Sequence, residues 1–168
     1  MSMPIILIVY YAALYDMKHC KIPNEIILIL ISLGFIQILF GIVETNSNAL
    51  VITTNALIGL FVALSISILL YHFGLFGAGD AKLLASLGVF IGPYNAVILI
   101  ATSIAFSGLL ALLRLSCYGE LRPMLTRWYD SVKSHHYFKP QKNTIAHSAV
   151  PMGGAILLAT VYCHFYLF

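Results

Sequence analysis

Long apolar stretches alternate with short polar breaks along the whole chain. Residues 3–15 form the first apolar stretch, and Asp16 to Lys21 the first break. Pro23, Asn24 and Glu25 then carry helix-start chemistry, with Asn24 as an N-cap and Glu25 suited to the positive end of the helix dipole. The second stretch covers 24–43 and ends at a turn, Glu44 to Asn48, that holds no base. The third covers 49–73, followed by the glycine-rich run Gly74 to Asp80. From 81 to 113 only Lys82 is charged. As one helix that segment measures about 50 Å, against a hydrocarbon core of ~30 Å. Gly92-Pro93 supplies a break, dividing it into 81–91 and 94–113. A polar stretch, 114–147, precedes a last apolar one at 148–168. The expected fold is an all-α polytopic membrane protein of six transmembrane helices in a single domain.

Charge orients that bundle. All nine bases lie in three breaks: Lys18 and Lys21, then Lys82, then the six of 114–147. With both termini outside, every base faces the cytoplasm, as the positive-inside rule demands. If 81–113 crossed once, six bases would face outward instead. Within 114–147, Pro123 suits a first helical position. Met124, Leu125, Trp128 and Val132 share one helical face beyond it, the pattern of an interfacial amphipathic helix, with a solvated loop as the alternative.

Composition sharpens the class. Hydrophobic residues make up 61% and charged residues 9% of 168, against roughly a quarter charged in soluble domains. Lipid is therefore the expected solvent, and the bases are too scattered for a nucleic-acid surface. Met1 to Val9 lacks the basic start and small-residue cleavage site of a signal peptide, so it reads as a retained span. Cys20, Cys117 and Cys163 are too far apart to suggest a C-x-x-C pair or zinc. His135, His136 and His147 form no convincing ligand pattern, and neither metal nor cofactor is expected.

Two acids carry the candidate chemistry. Asp80 opens a fourth span of only about 17 Å, so its carboxylate lies near membrane depth, where charge is costly. Gly77 and Gly79 leave the backbone beside it open to close approach. Such backbone is tolerated only against protein or a water-filled cavity. Asp16 ends another short span on the same side. If the two helices meet, two carboxylates can share a water. Such a pair resists ionising together and can hold one proton between its members. One then acts as base on the water and the other as acid toward a carbonyl oxygen. Helix capping by Asp80 and simple solvation of Asp16 are the bland alternatives.

Asp16 with Ile22-Pro23-Asn24, then Gly77-Ala78-Gly79-Asp80 with Lys82-Leu83, resembles the type IV prepilin peptidases, membrane aspartic endopeptidases of the G-x-G-D kind. The opening of the last stretch, Val150-Pro151-Met152-Gly153-Gly154, is similar to the start of that family's final helix. The resemblance covers essentially the whole chain. It implies cleavage of a basic leader from pilin-like substrates, just before their apolar helix, at the cytoplasmic face of a prokaryotic inner membrane. It implies catalytic roles for Asp16 and Asp80, with supporting or substrate-binding roles for Gly77, Gly79, Lys82, Pro23, Asn24 and Pro151. Lys82 reads equally as a snorkelling anchor, and Gly88 with Gly92 as a helix-packing face. In size the chain resembles the compact peptidases of tight-adherence (Tad) pili, or their archaeal counterparts. It lacks the paired cysteines of the larger bifunctional members, so no N-methyltransferase activity is expected. The rival readings are a proton-coupled carrier, which would place its acids near the midplane in repeated halves, and a noncatalytic assembly subunit.

Overall fold

A computed structural model describes residues 3–19, 21–45, 49–134 and 152–166. Among these, every regular element is an α-helix: α1 (Met3–His19), α2 (Asn24–Thr45), α3 (Ala49–His72), α4 (Ala78–Cys117), α5 (Leu121–Ser134) and α6 (Gly153–Tyr166). Three of them, α2, α3 and α4, are long and apolar enough to cross a membrane. The chain divides into two compact units, Met1–Phe106 with Pro151–Phe168, and Ser107–Val150.

α2 and α3 are apolar on all sides, so they can bury only a stripe against protein and must offer the rest to lipid. Leu28, Phe35, Leu39, Phe61 and Leu69 are accordingly exposed. The buried stripe of α3 is made of small residues, Ala56, Gly59, Ala63 and Ser67. It meets Gly88 and Gly92 of α4 so closely that a methyl group on Gly59 would overlap the Gly88 carbonyl oxygen. Without a hydrophobic drive between helices in lipid, such close backbone approach is what supplies packing energy. The G-x-x-x-G of α4 is therefore a packing face.

α4 is interrupted at Gly92, whose φ of 76° and ψ of 175° are non-helical. Pro93 follows it, and the Asn95 side-chain amide donates to the Ile91 carbonyl at 3.1 Å, satisfying an acceptor at the break. The helix thus consists of two limbs, 78–91 and 93–117. Leu83, Leu84 and Leu87 of the first limb and Leu99 and Ile100 of the second join Val9 and Ala12 of α1, Leu30 of α2, and Ile156, Ala159 and Cys163 of α6 in one core. In the same unit Thr102 meets Cys163 at 3.5 Å.

Beyond small shifts elsewhere, with α2 ending at Thr45 and α4 at Cys117, the two helix ends that carry the acids differ from the sequence expectation. α1 does not stop at residue 15 but runs to His19, about 26 Å in all. Lys18 and His19 in its last turn complement the negative end of the dipole, and His19 stacks on Tyr15 one turn back, with ring centroids 4.3 Å apart. Polarity ended the apolar run there without ending the helix. Likewise α4 begins at Ala78, so Asp80 belongs to its first turn instead of preceding it.

Candidate active site

Asp16 and Asp80 are both buried, at 6% and 8% exposure, and each has one oxygen tied to the amino end of a helix. At Asp80 the tie is local. Gly77 is the residue before α4, and its N–H donates to Asp80 Oδ2 at 3.1 Å. A third helical residue reaching back to the N-cap N–H is half of a capping box. The bland capping role is thus real, but it occupies one oxygen only. Asp80 Oδ1 is buried with no hydrogen-bond partner among the described residues. An orphaned buried acceptor costs about 1–3 kcal/mol, and folded proteins rarely retain one without a use for it.

At Asp16 the tie is long-range. The N–H of Gly153, the first residue of α6, donates to Asp16 Oδ2 at 2.8 Å. α6 can come this near only because residue 153 has no side chain: a Cβ there would lie 2.9 Å from the Asp16 Cβ and 3.2 Å from the Ala13 Cα. The packing of α1 against α6 holds that geometry. A coulombic interaction links Asp16 and Asp80, so the two helix ends bring both charges into one neighbourhood.

The connection from α1 to α2 lies against the same place. A Cβ on Gly79 would meet Ile22, at 3.2 Å from its Cβ and 3.4 Å from its backbone nitrogen. Pro23 is half-buried and its carbonyl accepts from the Ile26 N–H at 3.2 Å. Asn24 does not use its side chain as the expected cap of α2. It is the first helical residue, and its Oδ1 accepts from Lys82 Nζ at 3.1 Å. Lys82 is otherwise exposed, so it acts as a tether between the start of α2 and the first turn of α4. Gly77 is exposed, Gly79 half-buried. Pro151 lies outside the described residues, as do Cys20, His135, His136 and His147.

A family model described as the type IV leader peptidase family matches residues 3–112. The chain belongs to that family. The matched stretch takes in both aspartates, the Ile22-Pro23-Asn24 connection and the Gly77–Asp80 turn, and ends within the second limb of α4. No curated protein and no solved structure matches the chain. Membership of a leader peptidase family indicates a peptidase, and the apolar helices indicate a multi-pass membrane protein.

Two residues beside the candidate site escaped the sequence. Gly153 supplies the donor to Asp16; the Gly153-Gly154 pair at the start of the last apolar stretch was its one signal. Phe76, only 5% exposed, joins the core from the turn just ahead of Gly77. A lone Phe in a glycine-rich loop carries no pattern that separates burial from exposure.

Proposed function

We propose that the protein is an aspartic endopeptidase that removes the basic leader of prepilin-like substrates at the cytoplasmic face of a prokaryotic plasma membrane, with Asp16 and Asp80 as its catalytic pair. The observation that carries this reading is the unpartnered, buried Oδ1 of Asp80 in the neighbourhood of Asp16. Each carboxylate is aimed by one fixed N–H, from Gly77 and from Gly153, and the open Oδ1 of Asp80 is available to a water shared with Asp16. One carboxylate takes a proton from that water as its oxygen attacks the scissile carbonyl. The other gives a proton to the carbonyl oxygen. The carboxyl group that took the water's proton then passes it to the amide nitrogen, the other carboxylate takes a proton back from a diol hydroxyl, and the carbon–nitrogen bond breaks. No metal takes part in these steps.

The substrate class follows from chemistry at the membrane surface. A basic leader is held near the anionic inner leaflet, while the apolar helix beyond it lies in lipid, so the junction between them arrives at the depth of the aspartates. In this reading the chain crosses six times, α4 twice about its break at Gly92, and both acids and all nine bases face the cytoplasm, as the positive-inside rule favours. The test is cleavage of a prepilin with a basic leader by protein reconstituted in vesicles. Asp16→Asn and Asp80→Asn should each reduce the rate by at least about 10³-fold, the scale on which removing a member of an acid–base pair acts. Full processing by either variant would sink the proposal.

A further inference from the structure

In α5 alone among the helices, the apolar residues gather strongly on one side. At ~100° per residue, Met124, Trp128, Leu121, Val132, Leu125 and Tyr129 follow one another around an arc of about 140°. Arg122 and Lys133 border one edge of that arc and Arg127 lies beyond the other, while Asp130 sits near the opposite pole. Much of the arc is bare: Leu125 is 64% exposed, Trp128 60% and Tyr129 68%, while Leu121 and Met124 are half-buried. A helix with a sharply divided surface, modest apolarity and basic flanks lies along a bilayer surface and does not cross it.

We propose that α5 is a membrane-surface anchor, its apolar arc sunk into an anionic leaflet and Arg122, Arg127 and Lys133 set against lipid phosphates. Charge decides the occupant. Three bases against one acid in α5 suit anionic headgroups and repel a basic peptide, which excludes the leader proposed above as the ligand of this face. Trp and Tyr on the arc suit the headgroup depth, where amphipathic rings concentrate. This proposal stands apart from the chemistry of Asp16 and Asp80 and survives if that chemistry is wrong.

Trp128 is the single tryptophan of the chain, so emission excited at the red edge, beyond tyrosine absorption, reads this helix. The protein is reconstituted in phosphatidylcholine vesicles with and without phosphatidylglycerol, the lipids brominated at shallow or deep acyl positions. Expected are blue-shifted emission, quenching by shallow bromine above deep bromine, and shielding from aqueous iodide, all stronger with the anionic lipid. Combining Arg122→Gln, Arg127→Gln and Lys133→Gln should abolish the preference for phosphatidylglycerol, each base contributing about five-fold, the equivalent of ~1 kcal/mol. Equal iodide access in both lipids would overturn the proposal. So would shielding from iodide and bromine together, which would mean that protein covers the arc.

Discussion

The two ends of the first limb of α4 use the same residue for different purposes. At the Gly88–Gly92 end, glycine lets one backbone rest on another, and what it meets is the Gly59 carbonyl and the Ala63 methyl group. At the Gly77–Asp80 end, and at Gly153 opposite Asp16, glycine brings a backbone N–H to a carboxylate. Small residues crowd both places, four apart at Gly88 and Gly92 and two apart at Gly77 and Gly79. What separates them is the thing approached: a backbone carbonyl and a methyl group in one, a buried carboxyl group with an unfilled oxygen in the other. Close packing alone does not mark a site, and neither does an unpartnered polar atom, since Ser67 Oγ in the α3 stripe is one as well; an ionisable group left open beside a second one does.

The comparison is broken most sharply at Asp80 itself. If its carboxylate is kept for chemistry, Asp80→Asn removes a buried charge while an amide oxygen can still accept from Gly77. Cleavage should be lost, yet thermal unfolding in detergent should come no earlier than in the parent. A clear fall in melting temperature would assign Asp80 to the fold and not to the reaction. The next largest effect is expected at Gly153. Gly153→Val would drive a side chain into the Asp16 Cβ and the Ala13 Cα, displacing the carboxylate by a fraction of an ångström to an ångström. A misplacement of that size costs about 10²-fold in rate per folded molecule, beside the fall in melting temperature that overpacking brings. Gly88→Val should show the second effect without the first. Its branches meet the Gly59 carbonyl oxygen and the Ala63 Cβ, 2.5 and 2.8 Å from a Cβ built at residue 88, and overpacking of this kind costs about 1–3 kcal/mol. Measured per folded molecule, its cleavage rate should stay near that of the parent.

How much of this was legible in the residues varies with the range of the interaction. The helices were readable because long apolar runs in lipid have few alternatives, and the break at Gly92-Pro93 was readable because both residues disfavour helix continuation. The end of α1 was not, since Asp16, Lys18 and His19 look like a loop by polarity while their helix is held by a basic last turn and the Tyr15–His19 stack. The two acids stood out as charges in an uncharged chain. The donor to Asp16 could not be found that way: it is a backbone N–H, 137 residues further along, and backbone groups leave no mark in the sequence beyond the absence of a side chain at residue 153. For the same reason Asn24 was expected to cap its own helix. Whether an amide serves its neighbour or a lysine from α4 depends on tertiary placement.

That lysine gives the smallest effect and separates two roles. Lys82 Nζ donates to Asn24 Oδ1 at 3.1 Å in an exposed setting, where one hydrogen bond to a charged group contributes at most about 1.5 kcal/mol and screening lowers it further. If Lys82 is only a tether between α2 and α4, Lys82→Met and Asn24→Ala should each slow cleavage by a few-fold, and the double variant should be no slower than the worse single one. Residues that share one interaction are non-additive in this way. The pH profile of cleavage should stay in place in all three. Should Lys82 instead tune the carboxylates by its charge, Lys82→Met would move that profile while Asn24→Ala would not, and the two losses would add. A tether would then be the wrong description, and the functional end of α4 would extend one residue pair beyond Asp80.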